Sequence, residues 1–363
     1  MPENHTPKLS QHYFHAEAHA LSGKLNKPFE ADIKKQAFVK LVGESQNILV
    51  EPEDAKKLME RKAQENYFSQ HAKNFRLESI ISYSAAHTQV SGHRSKKDPD
   101  AFVTTATSSV EDLNVLNVVT ADRVVGQISV TYRKNQYSPD VTFLGTHFEN
   151  LRIARHKTLP ALNLGFVGAS PKKEKEDEKD KYYLPDGTTL MGSLQKHYYE
   201  LQSGFEAFLS RIEAKHAEQL RGDDSWPSKR YYKSSAFDYE VLRADAAAAA
   251  AKDQESKVPI SNGAKWKGVT CSLVEHVDIE DIVIPVRPKD PKEPTPDPIV
   301  YHPPAHCLGH VIHVPDFGTI FLAELKVNHN SFHLAMIRLE LGCIADGSAS
   351  FAACEVNGKG GGG

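Results

Sequence analysis

The sequence has 363 residues, of which 40% are hydrophobic, so the chain is long enough to bury a sizeable core. A formal net charge of −3 gives no surface of one sign, which argues against nucleic acid or an anionic membrane as a partner. No apolar run is long enough to span a bilayer, and residues 1–9 lack the apolar run of a secretory signal. We therefore expect a cytoplasmic protein by default, with a surface or extracellular location only by a non-classical route.

The first segment, residues 11–25, contains three histidines whose arrangement depends on the local structure. In a helix, His12, His15 and His19 would share one face at a metal-chelating separation. In a strand, His15 and His19 would lie about 13 Å apart. Ser22 and Gly23 end the segment abruptly, which favours the strand. Farther along, Glu51 to Ala72 has the pattern of a short surface helix.

Two blocks alternate with the period of a β-strand. Val118 to Ala154 predicts two long strands joined by a turn at residues 133–140. In the second block, Val311 to Leu341, strict alternation places Glu324 on the same face as Ile320 and Leu322. The blocks predict a mainly β fold, a large antiparallel β-sandwich. We assign it to a discontinuous domain, 1–171 and 264–357, with two sequential domains as the alternative.

A helical insertion is predicted between these two parts of the sandwich. Residues 172–181 are ten consecutive charges and predict an exposed linker, followed by a helical segment at 182–263. Within it, a long amphipathic helix at about 189–221 carries apolar residues at alternating steps of four and three. This interaction seam would pack on the sheet of the same chain or on another subunit. Its members are Leu194, Tyr198, Leu201, Phe205, Phe208 and Ile212.

Two further segments have biased composition. Residues 285–304 are rich in proline and predict a stiff spacer with polyproline II character. The last six residues, 358–363, form a glycine-rich tail that we expect to be flexible.

The chain has eighteen histidines, and the densest group suggests a metal site. A dioxygenase-like site in a β-barrel enzyme needs two histidines and a carboxylate on one face. In a regular strand His310 and His313 point to opposite faces, so such a site requires a bulge. The candidate ligands for a divalent metal are His306, His310, His313 and Glu324. No nucleophile turn or phosphate-binding loop is present.

Four strings in the two blocks are similar to one known family: Thr120 to Val125 (TADRVV), Phe143 to Ile153 (FLGTHFENLRI), Phe317 to Leu325 (FGTIFLAEL) and Met336 to Gly342 (MIRLELG). They resemble the β-rich bacterial surface proteins called choice-of-anchor P. The resemblance covers about a third of the chain and contains no functional motif. It implies an exported, non-enzymatic β protein with a structural or adhesive role. This chain departs from the family pattern in lacking a signal peptide and in carrying the helical segment.

The sequence thus favours a non-catalytic structural or protein-interaction protein without a cofactor. We expect it to associate with itself, or with another protein, through β edges or through the aromatic helix seam. One alternative is the histidine-rich metal-dependent enzyme described above. Another is a carbohydrate-binding β-sandwich, in which Trp226, Tyr231 and Tyr232 would form a stacking platform.

Overall fold

The structure is a computed structural model of the 363-residue chain. Its description covers residues 12–44, 67–98, 100–133, 139–167, 196–199, 203, 206, 269–286, 297–303, 306–328, 331–342 and 345–357.

The described residues are mainly β, and every strand pairing is antiparallel. This confirms the predicted fold class at that level. The first seven strands are β1 (Tyr13–Lys27), β2 (Ala31–Gln36), β3 (Val39–Glu44), β4 (Tyr67–Leu77), β5 (Ile81–Arg94), β6 (Ala101–Val115) and β7 (Val119–Arg133). The next six are β8 (Asp140–Thr142), β9 (His147–Glu149), β10 (Arg152–Ile153), β11 (His156–Leu162), β12 (Val269–Ser272) and β13 (Val274–Ile279). The last seven are β14 (Ile282–Ile284), β15 (Ile299–Tyr301), β16 (His306–Leu308), β17 (Val311–Val314), β18 (Gly318–Val327), β19 (Ser331–Leu341) and β20 (Asp346–Asn357).

These strands form two large sheets and one small ribbon. Sheet 1 has the order β16-β17-β18-β19-β20-β1-β2, with β12 beside β18 and β3 beside β1. Sheet 2 has the order β13-β11-β10-β7-β6-β5-β4, with β8 and β9 beside β7. The ribbon consists of β14 and β15 alone. Within the described parts of the chain, neither sheet closes on itself.

The two large sheets pack face to face on a shared apolar core. Alternate residues of β1 point into it, including Phe14, Ala16 and Ala18, because side chains of a strand alternate between its faces. Small residues let the layers approach closely. A Cβ atom on Gly126 of β7 would lie 2.7 Å from the carbonyl oxygen of Ala352 on β20.

Sheet 1 is assembled from both ends of the described chain. Strand β1 pairs with β20, from Ala16 opposite Val356 to Lys27 opposite Asp346. Residues 11–25 therefore form a strand, as expected, and His15 and His19 point away from the core.

A row of residues with positive φ crosses sheet 2. Asn74, Asp112 and Asn150 have φ angles of 53°, 51° and 49°, and the flanking register pairs place them in one row. Asn and Asp tolerate this left-handed conformation better than other side chains with a Cβ. In sheet 1, Ala323 and Ala352 have φ angles of 46° and 49° and also share a row. Each sheet is thus locally irregular along one line.

The first predicted block forms one long strand and a broken return. Strand β7 is continuous, but the return is divided among β8, β9 and β10, all of which pair with β7. At the gap between β8 and β9, the Thr146 hydroxyl accepts a hydrogen bond from Gln127 N at 3.0 Å and lies 3.1 Å from Gln127 O. The Thr146 side chain thus makes the hydrogen bonds to Gln127 that a paired backbone would make, at the point where the chain leaves the sheet.

The second block departs from strict alternation at Ala323. Ile320 and Leu322 point into the core before this residue, and Leu325 and Val327 point into it afterwards. The predicted face of Glu324 is therefore wrong, because the left-handed residue at 323 reverses the alternation. Glu324 lies on the outer face together with Phe321.

The predicted surface helix at 51–72 is wrong where it can be compared. Residues 67–72 belong to strand β4, and the remainder lies outside the described residues. Tyr67 and Phe68 favour a strand, and pairing with β5 along the whole of β4 outweighs the helical pattern.

Most of the predicted helical insertion lies outside the described residues, as do the linker at 172–181 and the glycine tail. Residues 196–199 are helical, and so are Ser203 and Glu206. No helix in the described residues is both long and apolar enough to cross a bilayer. Part of the proline-rich spacer, residues 299–301, forms strand β15.

Candidate functional site

The strand register does not bring the backbone positions of all four predicted metal ligands together. His306 and His313 are opposite each other on β16 and β17, and His310 lies in the turn between these strands. His313 is opposite Thr319, with 3.4 Å between its Nδ1 and the Thr319 hydroxyl oxygen. Glu324 is five residues farther along β18, or about 16 Å at the usual rise per residue. Among the described side chains, no group of three or more His, Cys, Asp or Glu residues could hold a metal ion.

Glu324 is instead the partner of a cation. Both carboxylate oxygens accept hydrogen bonds from Arg338, at 2.8–3.0 Å, while the guanidinium also stacks on the ring of Phe321 at 3.6 Å. Burial opposes the cation, but the charges and hydrogen bonds of Glu324 and Glu340 raise the pKa of Arg338 above its ordinary value. This arrangement stabilises the outer face of sheet 1 and occupies the carboxylate that a metal would need.

His310 packs against a second buried histidine, His197, on the helical turn 196–199. Their ring centroids are 4.9 Å apart, and Phe166 lies edge-on to His197. Burial lowers the pKa of His197 to about 4 and that of His310 well below its ordinary value. Beside His197 is a cavity of about 20 Å³, lined in part by Asn163 and Glu275, which has room for one water molecule. The pair is neutral near pH 7, and the cavity that the described residues form beside it is too small for a substrate.

The interaction seam can be placed at one residue only. Tyr198 is half-buried and packs against the hydrophobic core, while the adjacent Tyr199 is exposed. The other five members, Leu194, Leu201, Phe205, Phe208 and Ile212, lie outside the described residues, so the seam stays a prediction. The same holds for the aromatic platform of Trp226, Tyr231 and Tyr232.

Strand β4 forms an exposed edge of sheet 2. Among the described residues it pairs only with β5, and its first five residues are exposed on both faces. Tyr67 and Phe68 expose 45% and 46% of their surface. Such an edge offers unpaired backbone groups and apolar side chains to another strand. Sequence reasoning missed the start of β4 because residues 67–72 were assigned to the end of a predicted surface helix.

The ribbon of β14 and β15 is a second exposed apolar feature. Its three register pairs are Ile282 with Tyr301, Val283 with Val300, and Ile284 with Ile299. Five of the six side chains expose between 43% and 55% of their surface, and they lie on both faces. Exposed apolar groups of this size on a two-stranded ribbon are typical of a contact surface.

The outer face of sheet 2 is polar and carries little charge at its centre. One register row contains Ser91, Thr105, Ser129 and Thr142, and the next contains Gln89, Thr107 and Gln127. The hydroxyls of Thr105 and Ser129 are 3.0 Å apart. These rows place neutral hydrogen-bonding groups at the strand spacing on one surface.

Comparison with known proteins relates the chain to one family. A family profile described as Domain of unknown function (DUF8256) matches residues 63–278, which is more than half of the chain. The matched range contains β4 to β12 and nearly all of β13, and therefore almost all of sheet 2. Neither the comparison with curated proteins nor that with solved structures gives a match. The chain belongs to the family described as Domain of unknown function (DUF8256).

Proposed function

We propose that this protein is a non-catalytic structural or interaction protein that associates with copies of itself through the edge strand β4. The observation that carries the proposal is the exposure of β4 on both faces over residues 67–71, with two aromatic side chains at its start. Edge strands are normally short, charged or covered, because open edges pair with other chains. Strand β4 has eleven residues, and its first four carry no charge.

The sequence resemblance to choice-of-anchor P proteins supports the same role, since members of that family look like non-enzymatic β proteins. The aromatic helix seam is a second route to association within this proposal. The two routes are separable, because the seam and the strand edge can be altered independently.

Sedimentation velocity over a range of concentrations tests the proposal. The wild type should form oligomers whose proportion increases with concentration. The double substitution Tyr67→Ser with Phe68→Ser should weaken association by roughly tenfold or more, since aromatic anchors dominate interface energies. The matched control is Leu144→Ser, which removes a side chain with 63% exposure in a loop away from β4. Circular dichroism should show unchanged β content in each variant.

A wild type that stays monomeric at high concentration would contradict self-association altogether. Equal association of the edge variant and the wild type would exclude β4 as the contact. In that case Phe205→Ser with Phe208→Ser tests the seam.

The metal-dependent enzyme is the alternative from another class, and elemental analysis of untagged protein separates it from the proposal. Stoichiometric iron, zinc or manganese would favour the enzyme.

A second candidate function is binding of a neutral polysaccharide on the outer face of sheet 2. The rows of hydroxyl and amide side chains favour it, because sugar hydroxyls both donate and accept hydrogen bonds. A glycan array tests this function directly. Binding that is lost in the variant Gln89→Ala with Gln127→Ala would support it, and a blank array would remove it.

A further inference from the structure

We propose that the β14–β15 ribbon of one copy docks against strand β4 of a second copy, so that self-association runs head to tail. This inference rests on the proposed function, because it names the partner surface of the β4 edge.

The ribbon needs a partner on physical grounds. Among the described residues its two strands pair only with each other, and neither belongs to the core between the large sheets. An isolated two-stranded ribbon is marginally stable in water, and three or more strands or a packed face are normally required. Docking on an open edge would supply both a third strand and cover for the side chains of Val283 and Val300.

The charges of the two surfaces are complementary. Strand β4 contains Lys73 and Arg76 and no acidic residue, and Lys73 has no ion pair among the described residues. The ribbon is flanked by Asp278, Glu280 and Asp281 before β14 and by Asp297 before β15. Glu280 is paired with Lys157, while Asp278 and Asp281 contact only histidines, so the flank keeps a negative charge. Asp297 likewise has no ion pair among the described residues. Complementary charges favour docking of the ribbon on β4. Docking of two ribbons on each other would bring their acidic residues face to face.

The positions of the two surfaces determine the form of the assembly. Strand β4 is at one edge of sheet 2, and β13 is at the other. The ribbon follows β13 directly, since only residues 280–281 separate them. The six intervals between β13 and β4 span about 29 Å at the usual strand spacing. The ribbon therefore emerges from the edge opposite β4, and each copy offers one surface at each edge.

A contact between two different surfaces of the same molecule forms a ring only when the rotation between neighbouring copies brings the last copy back to the first. With any other rotation, copies add one after another without closing. Linear growth is therefore the expected result.

Complementation between two defective variants tests the inference. The edge variant is Tyr67→Ser with Phe68→Ser, and the ribbon variant is Val283→Thr with Val300→Thr, which preserves side-chain volume and strand preference. Each variant alone should associate roughly tenfold or more weakly than the wild type. An equimolar mixture should form dimers and nothing larger, because one intact ribbon meets one intact edge.

Charge reversal gives a second test that does not depend on the stability of the ribbon variant. Lys73→Glu with Arg76→Glu should weaken assembly, and so should Asp278→Lys with Asp281→Lys. A chain carrying all four substitutions should assemble again, since the complementary charges are restored in exchanged positions.

The outcomes separate this inference from the proposed function. If the edge variant loses association but the ribbon variant assembles like the wild type, β4 remains the contact and the ribbon is excluded. A mixture that stays monomeric would overturn head-to-tail docking. If the chain with all four charge reversals does not assemble again, that result would also count against head-to-tail docking. A wild type that is monomeric at every concentration would refute both statements.

Discussion

Cys354 of β20 donates its thiol hydrogen to the backbone carbonyl oxygen of Gly126 on β7, across a distance of 3.2 Å. This bond joins sheet 1 to sheet 2 inside the core, where both residues are buried. Burial raises the pKa of the Cys354 thiol, so the sulfur stays protonated and able to donate. The two layers therefore approach closely at this point.

The close approach at Gly126 predicts a large effect for one added methyl group. In Gly126→Ala the new Cβ would lie 2.7 Å from the backbone oxygen of Ala352, which cannot move aside as a side chain could. We expect the free energy of unfolding to fall by about 1–3 kcal/mol, the usual cost of overpacking a core. Urea denaturation measures this change in the free energy of unfolding. The control is Gly43→Ala, where nothing lies within 4 Å and little change is expected.

Loss of Arg338 should destabilise the protein through the charge that it leaves behind. The Glu324 side chain is only 3% exposed, so Arg338→Met would leave a buried carboxylate whose remaining cation is the half-exposed Lys326, 3.8 Å away. The expected loss is about 3–5 kcal/mol. Glu340→Gln removes a carboxylate that is 42% exposed and should cost less than about 1 kcal/mol.

The double variant Glu324→Gln with Arg338→Met checks this explanation. It removes the buried charge as well as its partner and should recover much of the stability lost in the single variant. Equal stability of Arg338→Met and wild type in urea denaturation would show that the pair is not needed.

Stability should fall in mildly acidic solution because several histidines are held neutral. Burial, followed by the charge of Lys35, lowers the pKa of His19 from 6.5 to about 4. Between these values the unfolded chain binds a proton that the folded chain does not, so the free energy of unfolding decreases as pH falls from 6.5 towards 4. The variant His19→Gln, whose amide can replace the hydrogen bond to Ser22, should show a shallower decrease. Parallel stability curves for the two proteins would contradict this assignment.

The left-handed residue Asn74 predicts opposite outcomes for two substitutions. Asn74→Gly should keep or increase stability, because glycine adopts a φ of 53° without steric cost. Asn74→Val should lower the free energy of unfolding by about 1–2 kcal/mol. Gln70→Val, on the same strand but without a positive φ, is the control and should change little. Thermal unfolding at low protein concentration avoids any effect on association.

The sequence predicts the strands better than it predicts their irregularities. Strand β7 was recognisable because Ile128, Val130 and Tyr132 lie at every second position. Strand β1 was recognisable because Phe14 and the alanines repeat in the same way. The reversal at Ala323 was not recognisable, because alanine gives no sign of a left-handed conformation. The predicted face of Glu324 was wrong for that reason.

The site was predictable only in part. Arg338 and Glu324 are 14 residues apart, and only the register of β18 against β19 brings them together. One strand of the ribbon, β15, lay inside a segment dominated by prolines, and their pattern concealed this three-residue strand at Ile299. Open edges such as β4 depend on which strands pair elsewhere, and a local pattern contains no information about that.

The pairing of β1 with β20 has a consequence for synthesis on the ribosome. Most of sheet 2 comes from one continuous stretch, residues 67–162, and its neighbours in the sheet are close in sequence. Sheet 1 cannot be completed until residues 346–357 have been made, because β20 lies between β19 and β1. Until then, the edge of β1 that pairs with β20 has no partner strand. Such long-range pairing slows folding and leaves early strands exposed, so this chain is expected to need protection while it is being translated.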